Sequence, residues 1–200
     1  MILVRQSRVQ QTAADPPRKI PGEEGIWVFV LGDMTVFALF FATFMYSRGK
    51  NRAVFAHDHA ELHVALGTVN TVLLLSSSLL VVLAVQRVLA GRRAGAWPLI
   101  AAALSCGVGF VVVKAVEWTQ LFADHKGVGS GEFFSYYFMF TGIHLLHVLI
   151  GLAVLSRLIV VIRRAEFTDK QARLCETGGI FWHMVDLLWV VLFALFYLVR

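Results

Sequence analysis

The 200-residue sequence predicts an all-α polytopic membrane protein built as a bundle of five transmembrane helices. Two observations carry that prediction. Hydrophobic residues make up 58% of the chain, with a mean hydropathy of +0.72, against about 45–50% apolar residues in an ordinary soluble chain. The charge is also segregated: of 18 Lys and Arg and 13 Asp and Glu, only Asp33, Lys114, Glu117 and Asp186 fall inside five long apolar runs. Hydrocarbon offers the backbone no water, so only structures that close their own hydrogen bonds cross it.

The elements follow in order. Residues 1–25 are polar, and Asp15-Pro16-Pro17 and Pro21-Gly22 break any helix there, so this stretch is expected to be a cytoplasmic tail. The first apolar run is too long for a signal peptide and lacks a small-residue cleavage site, so none is expected here. The spans are expected at 26–46, 64–85, 97–122, 133–156 and 178–199, forming one membrane domain over 26–199. Each is as long as the about 20 apolar residues that a crossing needs. The longest connection, 157–177, is rich in charge and is expected to prolong the fourth helix before a turn. No connection is long enough to bury a core of its own. The odd number of spans and the lack of an internal repeat argue against a duplicated transporter.

Orientation follows from Lys and Arg. With five crossings, the side of the amino terminus carries Arg5, Arg8, Arg18, Lys19, Arg87, Arg92, Arg93, Arg157, Arg163, Arg164, Lys170 and Arg173, and the other side Arg48, Lys50, Arg52, Lys126 and Arg200. The positive-inside rule puts the amino terminus in the cytoplasm and the carboxyl terminus outside. Anionic lipid on the inner face accounts for the formal charge of +5, so no nucleic-acid partner is implied. Cys106, inside a span, and Cys175, expected in a loop, have no metal-ligand or redox spacing and read as structural.

Function is sought among the polar groups inside the membrane, where an ionisable side chain is costly and faces a partner. Asp33 lies seven residues into the first span, roughly 11 Å at the helical rise. His183 and Asp186 lie at a similar depth in the fifth span, one turn apart. These three are expected to form one buried polar network. His144 and His147 form a second i, i+3 pair in the fourth span, with Thr141 extending their face. Glu117 stands one turn after Lys114 and reads as its ion-pair partner. For the histidines and Asp186 three readings stand: interhelical hydrogen bonds that fix packing, proton handling by the carboxylates, or a haem or metal site. Outside the membrane His57, His59 and His63, with Asp58 and Glu61, look at first like a metal cluster, but no cysteine or second histidine helix completes it.

At this point the residues resemble a known family. Phe138-Met139-Phe140-Thr141-Gly142-Ile143-His144-Leu145-Leu146-His147-Val148-Leu149-Ile150-Gly151 is similar to the TG-aromatic-H-x-x-H-V-x-x-G signature of subunit III of the haem-copper oxidases, with Ile143 in the aromatic position. Phe181-Trp182-His183-Met184-Val185-Asp186-Leu187-Leu188-Trp189 resembles that family's W-H-F-V-D-x-x-W. Val69-Asn70-Thr71, Glu117-Trp118 and Cys175-Glu176-Thr177 agree with further family positions, and Asp33 stands where the family has a buried glutamate. The likeness spans about 22–199. Typical members have seven helices and this chain matches the last five, so the cleft in which the family holds phospholipid lacks one wall. The short form also resembles the accessory branch associated with bacterial nitric oxide reductase.

The resemblance implies a non-catalytic subunit with no haem, copper or other metal of its own, bound beside the large catalytic subunit of a respiratory oxidase in a bacterial plasma membrane. That partner would hold the haem and copper. The role implied is to stabilise the complex during turnover and support proton uptake, with Asp33, Glu117, His144, His147, His183 and Asp186 as the buried polar and proton-related residues. Partnership with a nitric oxide reductase is the alternative. A di-haem cytochrome using His144 or His147 with His183, and an ion or proton carrier using Asp33 and Glu117, are the rivals from other classes.

Overall fold

The computed structural model describes residues 22–52, 55, 62–164 and 167–198. Five long helices account for nearly all of them: α1 (Glu24–Lys50), α2 (Val64–Leu89), α3 (Trp97–Ala123), α4 (Glu132–Ile162) and α5 (Asp169–Phe193). A 3₁₀ turn at Arg93–Gly95 leads into α3, and α5 runs on into a π-helical turn at Ala194–Leu198. All five are long and apolar enough to cross a membrane. The proposed tail lies outside the described residues except at its end, as do His57, Asp58, His59 and Glu61; His63 is exposed just ahead of α2.

The helices outrun the apolar segments. A helix that leaves the hydrocarbon loses no backbone hydrogen bond by continuing, so its end is set by local stop signals. At the end of α2, Gly91 takes the left-handed conformation (φ 75°), which lets the Arg92 N–H reach back to the Arg87 carbonyl. His125 does the same after α3, where the Lys126 N–H donates to the Leu121 carbonyl. The charged connection does prolong α4, to Ile162, but α5 then begins at Asp169, where the Gln171 side chain accepts the Thr168 N–H. Cys175 is therefore not in a loop. It is buried inside α5, because the helical cap lies well upstream of the apolar run.

Helices α2, α3, α4 and α5 close a four-helix ring in which α5 touches both α2 and α4. The closest approaches occur where glycine faces an aromatic ring. A Cβ on Gly151 of α4 would stand 2.6 Å from the Trp182 ring, one on Gly107 of α3 2.7 Å from Leu152 and 3.0 Å from Trp182, and one on Gly67 of α2 2.8 Å from the Tyr197 ring. Small residues let the backbones of membrane helices come close; here they make room for a neighbour's indole or phenol. Trp182 is consequently almost wholly buried, as is Trp189.

Helix α1 packs differently. It lies parallel to α5 and antiparallel to α4, held off by large side chains: Phe44 meets Phe196 at 4.9 Å between ring centroids, and Phe40 stacks on Phe140 at 5.4 Å. Its amino-terminal end is pinned by the Gly22 N–H donating to Glu176 (3.2 Å) and the Glu23 N–H donating to Thr177 (3.1 Å). Its carboxyl-terminal end is pinned by Ser47 and Asn51, which both donate to the Glu132 carboxylate. The rest of its surface, including Val28 and Leu31, is exposed and apolar.

Gly151→Ala is expected to destabilise the protein by about 1–3 kcal/mol through overpacking against Trp182. Gly25→Ala, at a helical glycine with nothing within 4 Å of its Cβ, is expected to be neutral or to stabilise by up to about 1 kcal/mol. Thermal unfolding of the two variants in the same detergent checks the contrast.

Candidate functional site

The polar side chains inside the spans sort into three clusters. The largest lies where α3 and α4 meet the π turn that follows α5. The Lys114 ammonium donates to Glu117 (2.9 Å), Tyr137 (2.9 Å) and Tyr197 (3.1 Å), while the Tyr197 hydroxyl donates to the other Glu117 oxygen (2.5 Å). Lys114 and Glu117 are exposed by 1% and 0%. The ammonium also lies 5.0 Å from the Trp189 ring centroid and 4.7 Å from that of Tyr137, a cation–π environment on two sides. A dry ion pair of this kind holds only when its remaining donors and acceptors are met. The π turn of α5 serves that need, since it brings Tyr197 inward over Gly67.

The second cluster joins α1 to α4. His147 Nε2 is 3.2 Å from Asp33 Oδ1, and His147 Nδ1 is 2.9 Å from the Ile143 carbonyl of its own helix. The ring nitrogen facing a carbonyl carries a proton, and in the neutral tautomer Nε2 would then have none to give Asp33. The pair is therefore joined by a hydrogen bond only if the imidazole is protonated or the carboxyl carries the proton. Phe37 covers the pair edge-on, 5.9 Å from the imidazole.

The third cluster joins α5 to α2. His183 Nδ1 is 2.6 Å from Ser78 Oγ and 3.7 Å from Asp186 Oδ2. His183 is partly exposed and lines a groove of about 250 Å³ with Gln86 and Glu176, while Asp186 is 8% exposed. Beside this cluster the Trp182 indole N–H donates to Ser77, whose hydroxyl donates to the Ala103 carbonyl, and between it and the Lys114 cluster the Trp189 N–H donates to Thr71.

The expected single network of Asp33, His183 and Asp186 is thus divided. Equal depth did not bring the three together, because Asp33 faces α4 and the other two lie on α5 beside α2. His144 and His147 also part company. An i, i+3 step turns the helix by about 60° short of a full revolution, which at this boundary sends His147 to α1 and His144 into the ring, between Phe110 and Trp189. The three span imidazoles face three different surroundings. The Lys114–Glu117 pair stands as its spacing predicts. Tyr137 and Tyr197 were missed; a tyrosine in an apolar run was the available signal, since its buried hydroxyl needs a partner.

Comparison with known proteins adds the ancestry. A family model for cytochrome c oxidase subunit III matches residues 21–199. The cytochrome bo(3) ubiquinol oxidase subunit 3 of Pseudomonas putida is 29% identical over 175 residues, covering 87% of this chain and 84% of that protein. The cytochrome c oxidase subunit 3 of Alkalihalophilus pseudofirmus is 32% identical over 179 residues, covering 87% and 84%. A heme-copper oxidase subunit I+III of Aeropyrum pernix is 27% identical over 181 residues, covering 87% of this chain and 22% of that protein.

Lys114→Met is expected to cost about 3–5 kcal/mol, because it strands the Glu117 charge in the ring. Lys114→Met with Glu117→Leu is expected to recover most of that loss. Unfolding midpoints of the single and double variants check this; a double variant no more stable than the single would show that the pair is not the cause.

Proposed function

Because the chain belongs to the cytochrome c oxidase subunit III family, we propose that it is the accessory subunit of a respiratory haem-copper oxidase, docked beside the catalytic subunit that holds the haem and copper. The observation that carries this reading is the family match over 21–199, which takes in all five spanning helices. The Aeropyrum pernix protein supports the docking: there a region like this chain and a subunit I share one polypeptide. The relatives named above are oxidase subunits, which favours an oxidase over a nitric oxide reductase. They include a ubiquinol oxidase and a cytochrome c oxidase, so the electron donor is left to the catalytic partner.

The chain is an integral membrane protein, and its bacterial relatives suit a plasma membrane. We take the amino terminus as cytoplasmic on the strength of the Lys and Arg count, and bilayer phospholipid as the solvent of the exposed apolar faces, above all that of α1. The physical role is to present a stiff surface to the partner. The Lys114, Glu117, Tyr137 and Tyr197 cluster and the Trp–Ser and Trp–Thr bonds fix how α2 to α5 sit. Asp33 and His147 have a further part in this reading. Between them one proton decides whether the bond across α1 and α4 exists, so the pair can take up and release a proton close to the intake side. Glu117, bound by a cation and a phenol, serves structure; His183 and Asp186, beside the groove, serve the inner end.

Asp33→Asn in the intact complex is expected to leave assembly and initial turnover in place, to slow proton uptake, and to raise turnover-dependent inactivation several-fold. Unchanged uptake and inactivation would remove the proton role while leaving the accessory assignment. Purification through this chain tests that assignment separately: a large haem- and copper-containing oxidase subunit is expected to co-purify, and a nitric oxide reductase in its place would overturn it. Orientation is read by impermeant thiol labelling of Ser7→Cys and Lys126→Cys in intact cells, with only the second expected to react.

A further inference from the structure

The middle of the ring holds four polar atoms that no group among the described residues satisfies. Asn70 on α2 and His144 on α4 are both 0% exposed. Neither the amide oxygen and nitrogen of Asn70 nor either ring nitrogen of His144 has a hydrogen-bond partner. The two residues share a layer. His144 lies 5.7 Å from the Phe110 ring of α3 and 5.4 Å from the Trp189 ring of α5. Helices α2 and α3 are antiparallel, with Ser77 bonded to the Ala103 carbonyl, and about two turns along each from that bond stand Asn70 and Phe110. Trp189, for its part, is tied to Thr71, the neighbour of Asn70. Asn70 and His144 therefore enter one layer from opposite helices of the ring, with Phe110 and Trp189 as its walls.

The walls cannot supply what is missing. Phe110 brings only a ring, and Trp189 spends its single N–H on Thr71. Lipid offers no hydrogen bond, and buried polar groups are satisfied by protein or by ordered water. A metal ion would need more donors than one amide and one imidazole, and no group of three His, Cys, Asp or Glu side chains gathers among the described residues. Water fits the chemistry. A neutral imidazole has one donor and one acceptor, a carboxamide has both, and a buried water makes about three hydrogen bonds of either kind.

We propose that this layer is an internal hydration site, in which water bridges the Asn70 carboxamide and the His144 imidazole. The bridge lies between the Lys114 cluster and the Ser77–Trp182 bond, and it makes the polar interior of the ring continuous from one to the other. It also gives His144 a role that is neither haem ligation nor direct interhelical bonding: the histidine holds α4 to α2 through water.

The test is a cryo-electron-microscopy map of the intact complex at a resolution that shows ordered water, for the wild type, Asn70→Leu and Asn70→Ser. Water density within hydrogen-bonding distance of both side chains is expected in the wild type, lost in Asn70→Leu and kept in Asn70→Ser. A wild-type map with no such density, or one in which Asn70 bonds His144 directly, overturns the proposal. Should Asn70→Leu fail to assemble, the wild-type and Asn70→Ser maps decide alone.

Discussion

A polar group inside a bilayer has no bulk water to fall back on, and the arrangement of this protein follows from that constraint. It makes the backbone helical, since a helix meets its own N–H and C=O groups. It then acts on the side chains. Lys114 cannot reach an aqueous surface from a position with 1% exposure, so a carboxylate and two phenols converge on it from α3, α4 and the π turn that follows α5. The π turn itself is intelligible in these terms, because it presents Tyr197 to the ion pair. Gly67 is in turn the residue small enough to lie beneath it.

The same logic gives the bundle its uneven texture. Where α5 meets its neighbours, Trp182 is seated on Gly107 and Gly151, and the indole N–H groups of Trp182 and Trp189 are spent on Ser77 and Thr71. Each tryptophan thus contributes both area and a directional bond, and α5 becomes the element on which the ring closes. Helix α1 has no such seating. Phenylalanines hold it away from the ring, and polar contacts near its two ends and the Asp33–His147 pair fix its register. The bundle thus joins a tightly seated ring to one helix packed through larger side chains.

Much of the fold was legible because it is written in composition. Five apolar runs separated by charge can hardly form anything but five helices in a membrane. The family signatures around His144 and His183 were legible for a different reason, since their residues are contiguous. What a linear reading handled poorly was direction. Asp33, His183 and Asp186 share a depth, and depth is countable along a sequence; which neighbour each faces depends on how the helices are arranged around α5. Cys175 was misplaced for a related reason, because apolarity marks the hydrocarbon and not the end of a helix. The tyrosines were overlooked because an aromatic residue in a span passes for core until its hydroxyl has a partner.

The sequence by itself determined the class, the number of crossings, the ancestry and the Lys114–Glu117 pair, all of which rest on composition or on residues close along one helix. The tertiary structure decided that Asp33 answers to His147, that His183 answers to Ser78, and that Tyr137 and Tyr197 complete the Lys114 cluster. These are contacts between helices, and they depend on the rotation and register of packed cylinders. Those quantities are set by where glycines admit indoles and phenols, and spacing along a single helix does not contain them.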